Sequence, residues 1–420
     1  MHSDPLPKTA SAAGSLRALE WLNFWVADVQ TGVGPFLAAY LAFSGWNPAQ
    51  VGLFLSFGGM FPILFQAPAG GAVDLVRNKR SLIGGAVIAI AIGALLIAWK
   101  STLPFVASAQ ILFAVAGLFL APSLAAIALG IVGPSGFSPQ IGRNQSFSAA
   151  GNVVSALLMA GVSYWIGMRS IFIATAFLAI PSLACLSRID PAAIDNREAR
   201  GGLPGDAQKG DKIAVVLLRD RALVIFLVCA ALFHLANAAM LPQLGEMLAH
   251  GHGHAAGAFM SACVIVTQFV ITVGAAPIGK YAAHHRRRPL LLLGFGALIV
   301  RGWLYTVVHG VVALVAVQLL DGVANVIFGL VAVLVIADRT HGTGRFNLTQ
   351  GALASAVGLG AALSTTFGGL LVQKFSYNAS FLGLAAIGLL AWLLLFFFFP
   401  ETLGVDGVLS AGAVQEQVAD

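Results

Sequence analysis

Charge is the first thing this chain lacks: 10% of its 420 residues are Asp, Glu, Lys or Arg, against roughly 25% in an ordinary soluble domain. With 58% hydrophobic residues it has no polar skin to keep a globule in water, which excludes a soluble enzyme. Cysteine is just as scarce. The three present, Cys185, Cys229 and Cys263, stand in apolar stretches, which rules out a disulfide framework and a cysteine-rich metal site. No Gly-x-x-x-x-Gly-Lys-Ser/Thr loop occurs, so nucleotide-driven pumping has no phosphate cradle. No paired catalytic groups fall at one depth near an interface, and neither enzyme activity nor a cofactor is expected. Residues 1–15 lack the charged-then-apolar pattern of a secretory signal.

What is present is apolar sequence in long runs, at 17–43, 49–70, 81–99, 104–130, 144–166, 169–186, 221–247, 255–280, 289–308, 311–337, 346–372 and 378–399. About 20 residues of helix cross the roughly 30 Å of bilayer hydrocarbon. Strands are excluded because these runs are twice the length of a barrel strand and show no two-residue alternation. The expectation is an all-α membrane protein of twelve spans: a tail at 1–16, a six-helix bundle at 17–186, a polar linker at 187–220, a second six-helix bundle at 221–399 and a tail at 400–420. The net charge of +6 suggests nucleic acid until its location is considered. Every Lys and Arg except Lys100, Arg169, Arg301 and Lys374 falls on one side of this arrangement. By the positive-inside rule that side, with both termini, is cytoplasmic, in an inner membrane.

The halves repeat each other. Gly142-Arg143-Asn144-Gln145 before the fifth span has a counterpart in Gly344-Arg345-Phe346-Asn347 before the eleventh, at an offset of 202, and Asn78-Lys79-Arg80-Ser81-Leu82 matches Arg286-Arg287-Arg288-Pro289-Leu290 at 208. Parallel repeats about an axis along the membrane normal are one known transporter architecture. The loop after the second span reads Gly70-Gly71-Ala72-Val73-Asp74-Leu75-Val76-Arg77-Asn78-Lys79-Arg80. With its Gly, Asp and basic pair, it resembles the signature loop of the major facilitator superfamily, and the resemblance runs over 17–399. Leu75 stands where that family usually has Arg, and Arg77 where it has Gly. The resemblance implies two pseudo-symmetric six-helix bundles that alternate access to a central site, with Gly70, Asp74, Arg77, Lys79 and Arg80 forming a cytoplasmic latch. Asp74 can pair with a cation or cap a helix, while the glycines permit close approach. Ala282 stands at the equivalent position in the second half, so the latch is one-sided. The family's antiporter Gly-Pro pair is absent from the fifth span, which reads Gly151-Asn152-Val153-Val154-Ser155.

An ionisable side chain at mid-membrane costs about 2.5–3.5 kcal/mol on insertion scales, so it is a functional candidate by default. Asp28 lies about 16 Å into the first span and is the first choice for proton coupling, the bland alternative being a structural hydrogen bond. Asp321 shares a helix face with Gln318 and Asn325. Arg301 sits at similar depth, so a structural Arg301–Asp321 ion pair stands beside a proton-carrying Asp321. His234 and Asn237 share a face of the seventh span, and His234 is a second candidate for coupling. Gln66, Gln110, Asn152, Ser155 and Gln268 complete the polar groups expected around a substrate. In the resembling family the first, fourth, seventh and tenth helices line the cavity most.

These groups beside Trp21, Phe24 and Trp25 suit a small amphipathic organic solute. The expectation is a monomeric proton-coupled secondary transporter in contact with lipid, leaning toward export. Two alternatives stay open: a carrier of a metal ion or chelate, motivated by His250, His252 and His254 in an external loop, and a non-transporting membrane sensor of the same fold.

Overall fold

The structure, a computed structural model, describes residues 10–31, 37, 40–41, 44–46, 48–202, 220–252 and 255–402, with backbone alone at 10, 28–31, 48–60, 160, 248–252 and 255–258. Among the described residues all regular structure is helical. In chain order the helices are α1 (Ala10–Thr31), α2 (Pro48–Leu75), α3 (Lys79–Trp99), α4 (Leu103–Ile166), α5 (Arg169–Ser187), α6 (Arg221–Asn237), α7 (Met240–His252), α8 (Ala255–His284), α9 (Arg287–Val307), α10 (Val311–Thr340), α11 (Phe346–Lys374) and α12 (Tyr377–Phe398). Nine described helical segments are long and apolar enough to cross a bilayer. The order is consistent with twelve crossings, because two of the expected spans are joined in α4 and α6 continues into α7 through a turn at Ala238 and Ala239.

Two expected loops are helix. At 64 residues α4 is about three times the length that spans a bilayer. It breaks at Gly133, with φ 67° and ψ −179°, a backbone that costs glycine little. Pro134 follows, suited to the first position of the second arm. The fourth and fifth spans are therefore a helical hairpin hinged at one residue, and helix runs on beyond the apolar stretches. The expected external loop after the seventh span is also wrong in part: α7 continues to His252. His250 and His252 occupy its last turn. Side chains there, and the whole of His254, lie outside the described residues.

The repeat is written in glycines. Gly70 of α2 lies against the Asn347 carbonyl of α11, and Gly279 of α8 against the Ser138 carbonyl of α4. Gly351 of α11 meets the Gln66 carbonyl, and Gly142 of α4 meets the Ala275 carbonyl. Within the halves, Gly151 abuts Phe24 of α1 and Gly360 abuts Ala231 of α6. Gly70 and Gly279, Gly142 and Gly351, and Gly151 and Gly360 are each 209 residues apart. This corrects the offset of 202 drawn from the loop motif: packing pairs Gly142 with Gly351, two helical turns past Gly344. The same relation pairs Phe137 with Phe346, whose buried rings meet edge to face at 5.6 Å between the halves. Glycines here let backbones approach to a distance that any Cβ would prevent.

The closest contacts between halves, α2 with α11 and the second arm of α4 with α8, thus lie toward the membrane face that carries the linker. There residues 188–202 fold back beneath the bundle. Asp195 N donates to Gly130 O at 2.9 Å, and Gly344 N to Gly201 O at 3.3 Å. Replacing Gly70 or Gly279 by Ala should cost about 1–3 kcal/mol of interface packing. The expected result is a lower melting temperature in detergent and faster labelling of cysteines placed along the linker-face seam, both absent from an Ala control at Gly85, where open space surrounds the Cα.

Candidate functional site

Two polar constellations stand out, one at the linker face and one within the second half. At the first, the last turn of α2 carries Asp74 past the apolar part of the helix to the start of α11. Its carboxylate accepts from Asn347 N at 3.2 Å, Asn347 Nδ2 at 2.8 Å and Leu348 N at 2.9 Å. The first amides of a helix have no partner of their own and form its positive end. Asp74 therefore caps a helix of the opposite half, where no side chain of α11 does so. Asn347 also donates to Ala199 O at 3.1 Å, tying the linker into the same knot. Burial pushes the Asp74 carboxyl up to about 6, against the three donors and the Lys79 ammonium that pull it down. In the first half the repeat relation puts Ser138 where Asn347 stands, and Ser138 Oγ donates to Gly279 O at 2.7 Å. One latch carries an acid and the other a hydroxyl.

The other latch residues divide by role. Arg80 reaches the end of α5, donating to Leu186 O at 3.2 Å and Ser187 O at 3.4 Å. Lys79, 2% exposed, donates to Val76 O at 3.1 Å. Arg77 is exposed. Arg80 binds the loop to its own half, while Asp74 and Gly70 reach across.

The second constellation joins four helices. Arg301 of α9, 1% exposed, forms an ion pair with Asp321 of α10 and donates to Asn237 Oδ1 at 2.6 Å. Asp321 also accepts from Thr267 Oγ1 of α8 at 3.0 Å and from Asn325 Nδ2 at 2.9 Å. Asn237 Nδ2 donates to Asn325 Oδ1 at 3.4 Å. Gln318 donates to Tyr305 OH at 2.5 Å and is fully buried, so it braces α10 against α9. The charged pair is buried, while Asn237, Asn325 and His234 are half-buried. His234 Nδ1 lies 3.2 Å from Ala230 O, and its ring meets Phe328 edge to face at 4.9 Å. Taking a lone charge into hydrocarbon is prohibitive, but a paired and hydrogen-bonded one is tolerated.

The remaining candidates scatter. Gln66, 7% exposed, donates to Leu118 O at 3.3 Å and crosslinks α2 to α4. Gln110, Asn152 and Gln268 are half-buried on α4 and α8, and Gln268 Oε1 has no partner among the described residues. Asp28 is on α1, with its side chain outside those described. Thr267 and Tyr305 were missed, since an isolated hydroxyl in an apolar run carries no sequence signal. Asn347 was quoted only as part of a repeat; it is the second residue of α11, and nothing in the local sequence shows that its amides meet Asp74.

The family model of the Major Facilitator Superfamily matches residues 21–275 and 226–414. The chain belongs to the major facilitator superfamily. An uncharacterized MFS-type transporter of Mycobacterium tuberculosis strain CDC 1551 / Oshkosh is 39% identical over 393 residues, 93% of this chain and 94% of that one, and a protein of strain H37Rv matches equally. Among solved superfamily structures, FucP in the outward conformation aligns with TM-score 0.67 at 14% identity over 92% of this chain and 99% of its own. The proton:xylose symporter XylE, bound to 6-bromo-6-deoxy-D-glucose, aligns at 0.66 and 14% over 94% and 96%. At that identity the likeness is one of fold. This chain is thus an integral, multi-pass membrane transporter and not an enzyme.

Two outcomes check this geometry in the superfamily fold. With the linker face closed, the Asp74 carboxyl stands above its ordinary value of 3.8, so the closed state binds the proton more tightly. That contribution to closure is complete below pH 3.8 and disappears as pH rises through about 6. Spin labels at Asn78 and Thr343 should show the short-distance population growing as pH falls through this window, Asp74→Asn should flatten the response, and Asp74→Ala should open the face. For the buried pair, Arg301→Leu alone should cost about 3–5 kcal/mol by leaving Asp321 unpaired, and Arg301→Leu with Asp321→Leu should recover most of it. Thermal unfolding in detergent reads both.

Proposed function

We propose that this protein is a proton-coupled secondary transporter of a small, largely uncharged organic solute, working by alternating access and oriented for export. The observation that carries the reading is the polar network in the second half, where half-buried Asn237 and Asn325 bond to a buried Arg301–Asp321 pair and half-buried His234 lies one turn from Asn237 on α6. Amides and an imidazole offer donors and acceptors to a polar solute without fixing a net charge. The sealed pair holds the two amides in place, since Arg301 fixes the Asn237 oxygen and Asp321 fixes the Asn325 amide. In this reading Asp321 is a positioning residue and not a proton carrier, because its carboxylate oxygens are already taken by Arg301, Thr267 and Asn325.

Coupling then falls to Asp28. The repeat supports this: position 28 precedes position 237 by the same 209 residues that relate the glycine contacts. Asp28 is therefore the first-half counterpart of Asn237, an acid where the second half has an amide. A carboxyl there would take a proton while facing one side and release it to the other. Gln110 and Asn152 on α4 and Gln268 on α8 are proposed as further solute contacts. The positive linker face is taken as cytoplasmic on the charge asymmetry.

A thermal-shift panel of sugars, metabolites and drugs should yield a stabilising ligand, and Asn325→Ala should weaken it about tenfold through one lost hydrogen bond and the freed Asp321. In proteoliposomes carrying that ligand, Asp28→Asn should abolish solute-driven proton movement while leaving solute exchange intact. Unchanged proton movement in Asp28→Asn removes Asp28 from the mechanism. Accumulation in everted vesicles that needs an acidic lumen supports export; accumulation in right-side-out vesicles overturns it.

A further inference from the structure

A cleft of about 660 Å³ opens on the linker face at one corner of the second half, where the first turns of α6 and α11 meet the ends of α10 and α12. Its polar wall carries Arg221, Arg339 and Arg345, with Asp220 as the acid lining it. Asp220 is already spent: it caps α6 through Ala222 N and Leu223 N and pairs with Arg339 at 2.6 Å. Among the described lining residues three arginines stand against this one carboxylate. Within it Thr349 is 1% exposed, and its Oγ1 is a buried hydroxyl with no partner among the described residues. A buried hydroxyl normally finds a hydrogen bond, and one without it points to a missing acceptor or donor. The opposite rim is apolar: Ile225, Phe398 and Pro400 line the cleft, and Phe398 is 56% exposed.

Cations on one wall and acyl-compatible surface on the other match one class of molecule. We infer that this cleft binds a phosphodiester anion, the headgroup of an anionic phospholipid in the leaflet on the linker side. Arg221 and Arg345 face the phosphate, Thr349 donates to it, and an acyl chain leaves over Phe398. Guanidinium groups suit phosphate because several N–H donors converge on its oxygens. The other half offers a second instance at the matching corner. There a cleft of about 320 Å³, between the first turns of α1 and the end of α5, is lined by Arg17 and Arg188 with Trp21 and Trp25 and, among the described residues, by no acid. A free phosphate shares the headgroup's chemistry but has no use for the aromatic and aliphatic rim.

Native mass spectrometry of the full-length protein, offered phosphatidylglycerol or phosphatidylcholine, tests this. Retention of phosphatidylglycerol should fall roughly 20-fold in Arg221→Gln with Arg345→Gln and about threefold in Thr349→Val, with phosphatidylcholine unchanged and an Arg77→Gln control behaving as wild type. Equal retention in wild type and the double variant overturns the proposal. Inorganic phosphate in excess should not displace the lipid; displacement assigns the site to the free ion and overturns the lipid reading. Photoactivatable phosphatidylglycerol needs no variant: in wild-type protein the adduct should map to peptides covering 220–225 or 343–349, and adducts confined elsewhere also overturn it.

Discussion

Hydrocarbon offers no hydrogen bonds. A charged or polar group placed there must find its partners within the protein or leave the membrane, and the internal arrangement of this chain follows from that constraint. Arg301 is the extreme case, sealed from solvent at 1% exposure. It is tolerable because Asp321 balances its charge and Asn237 and Met240 occupy further donors. Satisfying one residue thereby fixes the relative positions of α6, α8, α9 and α10. The polar face they present is a consequence of how the charge behind it is buried.

The same economy governs the contact between halves. The first amides of α11 would be unsatisfied at a protein–protein seam, and the partner comes from the other half, as the Asp74 carboxylate. Such a bond holds only while the halves are together, which makes it suitable for a conformation that must be left and regained. Glycines do the complementary work. Gly70, Gly142, Gly279 and Gly351 bring backbone against backbone, a wide flat contact with no interlocking side chains to extract when it parts. The duplication supplies two such seams, and divergence has given one a titratable latch and the other Ser138 with a neutral hydrogen bond.

Much of this was legible beforehand, for identifiable reasons. Spans could be read because the energetic penalty of a charge in lipid purges Asp, Glu, Lys and Arg from runs of about 20 residues. The latch loop was legible because glycine and aspartate at that spacing are rare in apolar surroundings. The loop between the fourth and fifth spans was misread: a polar residue such as Arg143 ends an apolar run without ending a helix, and only Gly133 breaks the backbone. The repeat offset was misjudged by seven residues for a related reason. Loop motifs drift, whereas Gly142 and Gly351 are held by what they touch.

The sequence by itself determined that this is a helical membrane protein, where its spans fall, that its halves are related and which few residues carry charge into the bilayer. Each of these is a property of composition along one segment. Only the tertiary structure decided which helix Asp74 caps, that Arg301 neutralises Asp321, that Thr267 and Tyr305 belong to the same network and that the true repeat is 209 residues. Those are relations between segments distant in the chain, set by which backbones can approach and which polar groups are left to be satisfied when they do.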